Sequence, residues 1–223
     1  MKKVTVCITS YNRFEFLSQT IDTFLATNTY LIKTIYVIED SGKVEMRDKI
    51  LKRYEDKIHL LFNEKNMGQV ASIDKMYEVV DTEYIFHCED DYIFYIPGYI
   101  EASVTILDNI PEINQVWIRK NMLSPSQISH YLEPEIKDCQ GVKYRMVKCP
   151  NSGFWCGFSF NAGLRRKSDY TKMFPNGYRE FYNKENPFFS EVACNTHAMK
   201  QGYRACQLLK GYCEHQGVGI STY

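Results

Sequence analysis

Tyr84-Ile85-Phe86-His87-Cys88-Glu89-Asp90-Asp91-Tyr92-Ile93-Phe94 begins as an apolar run of strand length and breaks into three consecutive acids. Carboxylates set against an apolar strand must stay hydrated, pair with cations or bind metal. In an extended chain residues two apart share a face, so Glu89 and Asp91 are expected to point together and Asp90 away. Two oxygen-bearing side chains converging at a strand end suit a hard divalent ion such as Mn²⁺ or Mg²⁺. An acidic triplet on its own is more often a strand leaving the core for a polar loop. The chain upstream shifts the balance.

Lys3–Thr9 is a β-branched strand that ends in the polar corner Ser10-Tyr11-Asn12-Arg13. Phe14, Leu17, Ile21 and Phe24 then recur at helical spacing. A second strand, Thr34–Ile38, runs into Glu39-Asp40-Ser41-Gly42, and a helix with Met46, Ile50, Leu51 and Tyr54 on one face follows. The third strand, Ile58–Phe62, ends at Asn63-Glu64-Lys65-Asn66-Met67-Gly68. The helix after it, carrying Val70, Ile73, Met76, Tyr77 and Val80, leads into the acidic strand. This alternation predicts an α/β fold, with a mostly parallel central sheet flanked by helices. Each strand ends in polar residues, and ligands of open parallel sheets bind at the carboxyl ends of strands. Loops are polar anyway, which accounts for one or two of these ends but not readily for all four. The helix start after Asn66-Met67-Gly68 could itself hold an anion.

Composition narrows the field. The 223 residues carry no net charge, so no global field points to nucleic acid or an acidic membrane. No apolar stretch reaches the length of a membrane span. The eight cysteines are scattered without a C-x-x-C pair, and several sit inside apolar strands, which predicts free thiols and a cytoplasmic location, or a peripheral one at a membrane. Aromatic residues make up 14%, a weak hint of a sugar-binding cleft. One domain of 1–223 is expected, since nothing in the sequence forces a second.

Val4-Thr5-Val6-Cys7-Ile8-Thr9-Ser10-Tyr11-Asn12-Arg13, then Ile38-Glu39-Asp40-Ser41-Gly42, then Asn63–Gln69, then Phe86–Asp91 resembles the nucleotide-binding half of family 2-like glycosyltransferases with the GT-A, Rossmann-like fold. The resemblance implies a nucleotide-sugar donor, UDP- or GDP-linked, held by residues 1–95, and an acceptor held by 96–223. It sets Thr9, Tyr11 and Arg13 around the base and ribose, Asp40 on the base, Asn66 and Gly68 in the loop over the nucleoside, and Asp90 with the donor. Glu89 and Asp91 match the outer members of a D-x-D metal motif, with Glu in place of the first Asp.

Downstream, Tyr99, Val104 and Leu107 mark a helix that stops near Pro111, and Val116–Ile118 a strand. Leu123–Cys149 has little periodicity and reads as a variable insertion with a short strand at Val142–Val147. Gly153–Asn161 alternates glycine with aromatics, either a bulged core strand or a cleft wall; Trp155 and Gly157 are expected to line the cleft. Pro187–Val192 opens a helix that ends at Gln201–Arg204, and Ala205–Leu209 is a strand. By resemblance Glu191 is the catalytic base, its carboxylate favoured by the helix N-terminus, and His215 reaches back as a third metal ligand. A lone histidine in a polar loop is otherwise a surface residue. Together these imply a metal-dependent, inverting transfer of one sugar to a hydroxyl of a glycan, lipid-linked or protein acceptor. The Gln-x-x-Arg-Trp signature of processive synthases is absent. A sugar-phosphate nucleotidyltransferase would show a glycine-rich loop after the first strand, and Ser10–Phe14 has no glycine. A non-catalytic nucleotide- or glycan-binding module would lack a base or a metal acid, and neither is plainly missing.

Overall fold

The computed structural model describes residues 2–120, 131–148 and 157–216. The first part follows the alternation expected: β1 (Val4–Ser10), α1 (Phe14–Thr27), β2 (Ile32–Glu39), α2 (Val44–Tyr54), β3 (His59–Phe62), α3 (Gln69–Glu78) and β4 (Tyr84–Glu89). Then come β5 (Tyr92–Phe94), α4 (Tyr99–Asn109), β6 (Ile113–Trp117), β7 (Lys137–Cys139), β8 (Val142–Met146) and β9 (Gly163–Arg166). The chain continues through α5 (Lys167–Met173), a 3₁₀ turn (Tyr178–Phe181), α6 (Pro187–Lys200), β10 (Arg204–Leu208) and β11 (Cys213–His215).

Nine strands form one sheet in the order β3-β2-β1-β4-β9-β6-β10-β8-β7. Only β9 and β8 run against the others, so the sheet is mostly parallel in direction and mixed in its pairings. β1 is buried along its whole length, as a central strand covered on both faces must be. Its alternate residues feed two cores. Val4, Val6 and Ile8 join α1 and α4 on one face, while Cys7 joins α3 and the aromatics Phe158, Phe160, Tyr170 and Tyr178 on the other.

Three features depart from the sequence reading. The described part of the supposed insertion, 131–148, holds the strand expected at Val142–Val147, as β8, but pairs it with an unanticipated β7 in a hairpin at the sheet edge. Its turn, Gln140-Gly141, has φ of 52° and 86°, the two positive values that a tight hairpin needs. β9 enters between β4 and β6 in reverse, where no strand was anticipated. Residues 157–161 are neither strand nor helix.

Candidate functional site

The acidic stretch does not stay extended. β4 ends at Glu89, the chain turns at Asp90-Asp91, and β5 begins at Tyr92. The turn is fixed from below by Thr20 of α1, whose buried hydroxyl donates to the Asp90 carbonyl (2.7 Å) and accepts from the Tyr92 N–H (3.0 Å). β5 then pairs antiparallel with β11, placing His215 opposite Tyr92, and the Gln216 N–H closes on the Asp91 carbonyl at 2.7 Å. So the histidine of a supposed polar loop is the last residue of a strand laid beside the acids. One ligand atom each from Glu89, Asp91 and His215 lies within 4.8 Å of the others. Asp91 Oδ1 is buried and has no hydrogen-bond donor, though His215 Nε2 stands 3.1 Å away. Two carboxylates, an imidazole and an undonated buried oxygen fit a hard divalent ion. The three residues come together through a turn and a second strand, not through the shared strand face that the sequence suggested for Glu89 and Asp91.

Electrostatics separate the three acids. Burial pushes Glu89 well above the usual carboxylate range, and the charges of Asp91, Glu191 and Asp90 push it further. The Gln69 amide donates to Glu89 Oε1 at 2.6 Å, a partner that no sequence pattern announced. Asp90 is pushed up to about 6 by burial, against the pull of Arg13. At Asp91 burial also works upward, but His215 and Arg13 outweigh it and hold the carboxyl below its usual range.

Arg13, expected near the base and ribose, has its guanidinium on Asp90 and, at 3.0 Å, on Asp91, because the corner after β1 lies directly beside the acidic turn. Asp90, which contributes no atom to the Glu89–Asp91–His215 group, also accepts weakly from the Tyr11 N–H (3.4 Å). Thr9 sits beside Glu89 in the β1–β4 register, its buried hydroxyl oxygen without a partner. Asp40 is fully buried, and its oxygens take the Asn63 amide (2.7 Å) and the N–H groups of Met67 (2.8 Å) and Gly68 (2.9 Å). It therefore braces the loop from beneath. Exposed Asn66 caps the same loop, its Oδ1 accepting from the Gly68 N–H at 2.8 Å. Glu39, which sequence reasoning passed over, holds the β1 corner by accepting at Oε1 from the N–H groups of Asn12 and Ser41, both at 3.0 Å. Asn12 takes the left-handed conformation there (φ 56°), one that asparagine tolerates.

Glu191 faces this cluster from α6. It stands one turn inside the helix, which begins at Pro187, so the helix end contributes little to its charge. Burial raises its pKa; the Phe160 N–H (2.7 Å) and the Ser159 hydroxyl (2.9 Å), both donating to Oε1, draw it back. The segment 157–161 hangs from side chains. Asn195 Oδ1 accepts from the N–H groups of Gly157 and Phe158, and Gln115 brackets the Ser159 peptide at 2.7 and 2.9 Å. Gly157 does not line the cleft: it is buried, and a Cβ there would stand 3.0 Å from the Met199 nitrogen. Trp155 lies outside the described residues.

Among solved structures, a mannosyltransferase from Pyrobaculum calidifontis in complex with GDP-Man and Mn²⁺ superposes with a TM-score of 0.67 at 13% identity, covering 96% of this chain and 57% of that one. S. aureus TarS 1-349 superposes at 0.61 with 14% identity, covering 96% and 60%. The same protein in complex with UDP-GlcNAc gives 0.62 at 14%, covering 95% and 58%. At these identities the likeness is one of fold, and this chain spans under two thirds of each of those lengths. Among curated protein sequences none matches significantly. The sequence profile of glycosyl transferase family 2 matches residues 5–171, from β1 through the acidic turn to α5, and by that match the chain belongs to glycosyl transferase family 2.

Proposed function

We propose that this chain transfers one sugar from a nucleoside-diphosphate sugar to an acceptor hydroxyl, with a divalent ion held by Glu89, Asp91 and His215. The convergence of those three residues from two distant strands, opposite Glu191, carries the reading. Similar folds solved with GDP-Man and Mn²⁺, and with UDP-GlcNAc, support a donor of the UDP or GDP type. A bound Mn²⁺ or Mg²⁺ would neutralise charge on the leaving diphosphate. Arg13 supplies fixed positive charge beside the same acids. Asp40, with Asn66 and Gly68, holds the loop against which the base would lie. Glu191 Oε1 is spent on the Ser159–Phe160 segment, which leaves Oε2 to take the acceptor proton in an inverting displacement. In this reading 1–95 binds the donor and 96–223 the acceptor, one sugar per encounter. The buried free thiols accord with a reducing, cytoplasmic setting, and among the described residues no helix is long and apolar enough to cross a membrane.

Calorimetry with UDP and GDP, each with and without Mn²⁺, tests the reading. The parent should bind one of them only with metal, and Asp91→Ala should lose that binding while remaining folded. Equal affinity of variant and parent in the presence of Mn²⁺ would place the nucleotide elsewhere.

A further inference from the structure

Six of the nine arginines are paired with carboxylates. Of the other three, Arg165 is sunk in the core over the Phe158 ring and Arg145 lies on β8 near the sheet edge. Arg119 is different. It follows β6 at the carboxyl-end rim of the sheet, half-buried, and bridges in parallel to Cys213, two residues before His215. A guanidinium carries five N–H donors. Arg119 spends one, at 3.3 Å, on the neutral Asn161 Oδ1. Among the described residues no carboxylate pairs with it directly, and none of its nitrogens is both buried and unpartnered, so its unspent donors stay hydrated and open to a ligand.

Its surroundings say what would meet it. Asn161 Oδ1 is shared with the Tyr92 hydroxyl (2.9 Å), the Asn161 amide donates to Ser159 Oγ (2.6 Å), and that hydroxyl donates to Glu191 (2.9 Å). Arg119 is thus held two side chains from the proposed base. The nearby ammonium of Lys120 is already paired with Glu214 at 3.0 Å, and Arg13 with the aspartates. Among the described residues, Arg119 is thus a cation without a carboxylate partner on the Glu191 side of the cleft. Its planar fork matches a carboxylate or a phosphate with two parallel hydrogen bonds, a fit that a neutral hydroxyl cannot supply.

We propose that Arg119 binds an acidic group, carboxylate or phosphate, carried by the sugar substrate that lies against Glu191. This assignment rests on the reading of that side as the transfer side, and it names the substrate class as an acidic sugar.

Binding of glucuronate, glucose 6-phosphate and glucose to the full chain, measured by NMR titration without metal, isolates this contact from the Glu89–Asp91–His215 cluster. The acidic probes should bind the parent roughly tenfold or more tightly than glucose. Arg119→Gln should erase the difference, and Arg119→Lys, which keeps the charge without the fork, should retain part of it and serves if the glutamine variant fails to fold. Equal binding of acidic and neutral probes to the parent, or a preference that survives in Arg119→Gln, overturns the proposal. A second arm compares UDP-glucuronate with UDP-glucose in Mn²⁺. An Arg119-dependent preference there puts the acid on the transferred sugar; no preference, with the first arm positive, puts it on the acceptor. Because the first arm is metal-free, it can succeed where metal-dependent nucleotide binding fails, and the reverse.

Discussion

In the proposed mechanism Glu191 would do two jobs with one carboxyl group. Oε1 accepts from the Ser159 hydroxyl and the Phe160 N–H, which fixes the rotamer and the segment beneath it. Burial raises its pKa above that of an ordinary glutamate, which makes it a stronger base once ionised. A group that works unprotonated gives a rate that climbs with pH through its folded pKa. The acid limb of kcat should therefore lie above the pH at which a free glutamate titrates. Glu191→Gln keeps an oxygen for Phe160 and Ser159, so it should melt near the parent and still bind nucleotide. Transfer should fall roughly 10²–10⁴-fold and lose that limb. A glutamine variant transferring at close to the parental rate would move the base to another acid. At the same scale, Asp40 and Glu39 show why a strand-end acid is not by itself a ligand contact. Both are fully buried at the end of β2, and both spend oxygens on backbone N–H groups that the turns leave without partners.

The 3₁₀ turn Tyr178–Phe181 decides how the second part of the chain lies against α3. Asp74, fully buried on α3, accepts from the Tyr170 hydroxyl (2.9 Å) and the Tyr178 N–H (2.8 Å) at Oδ1, and from the Arg179 N–H (2.8 Å) at Oδ2. The chain passes so close that a Cβ on Gly177 would stand 2.4 Å from Asp74 Oδ2, and Gly177 also has φ of 82°. With ψ at 174° the residue lies in a region essentially reserved for glycine, so Gly177→Ala should cost about 2–4 kcal/mol, backbone strain plus displacement of a buried hydrogen-bonded carboxylate. Gly141→Ala is the control: its φ is similarly positive, at 86°, but nothing lies within 4 Å of the added carbon. It should cost about 1–2 kcal/mol, the strain alone. Urea denaturation of the two variants checks this; equal losses would mean that the Asp74 network yields freely.

At the scale of the molecule, the site is assembled across the chain. The nine-stranded sheet carries Glu89 at the end of β4, while His215 arrives on the separate two-stranded β5–β11 sheet. Three residues per strand make a weak ladder on their own. Metal and nucleotide, by drawing His215 onto Glu89 and Asp91, should tighten it. Amide hydrogen exchange of Cys213–Gln216 should therefore slow when Mn²⁺ and the preferred nucleoside diphosphate are added together, and neither alone should do as much. Unchanged exchange in this stretch would remove His215 from the metal shell.

The sequence by itself determined the β/α alternation from Val4 to Glu89, the helices behind it and the run of polar strand ends. Those follow from signals that are local: side-chain period, β-branching, and glycine and asparagine at the turns. It also marked Glu89, Asp91 and His215, though it could not say how they meet. What only the tertiary structure decided depends on contacts far apart in the chain. The reversal of β9 between β4 and β6 leaves no mark in the four residues Gly163–Arg166. Arg13 meets Asp90 and Asp91 because β1 and β4 are neighbours. The path from Arg119 through Asn161 and Ser159 to Glu191 joins residues after β6, before β9 and on α6. A side chain's period records which face it shows, but its partner is chosen by the packing of elements that the local sequence does not encode.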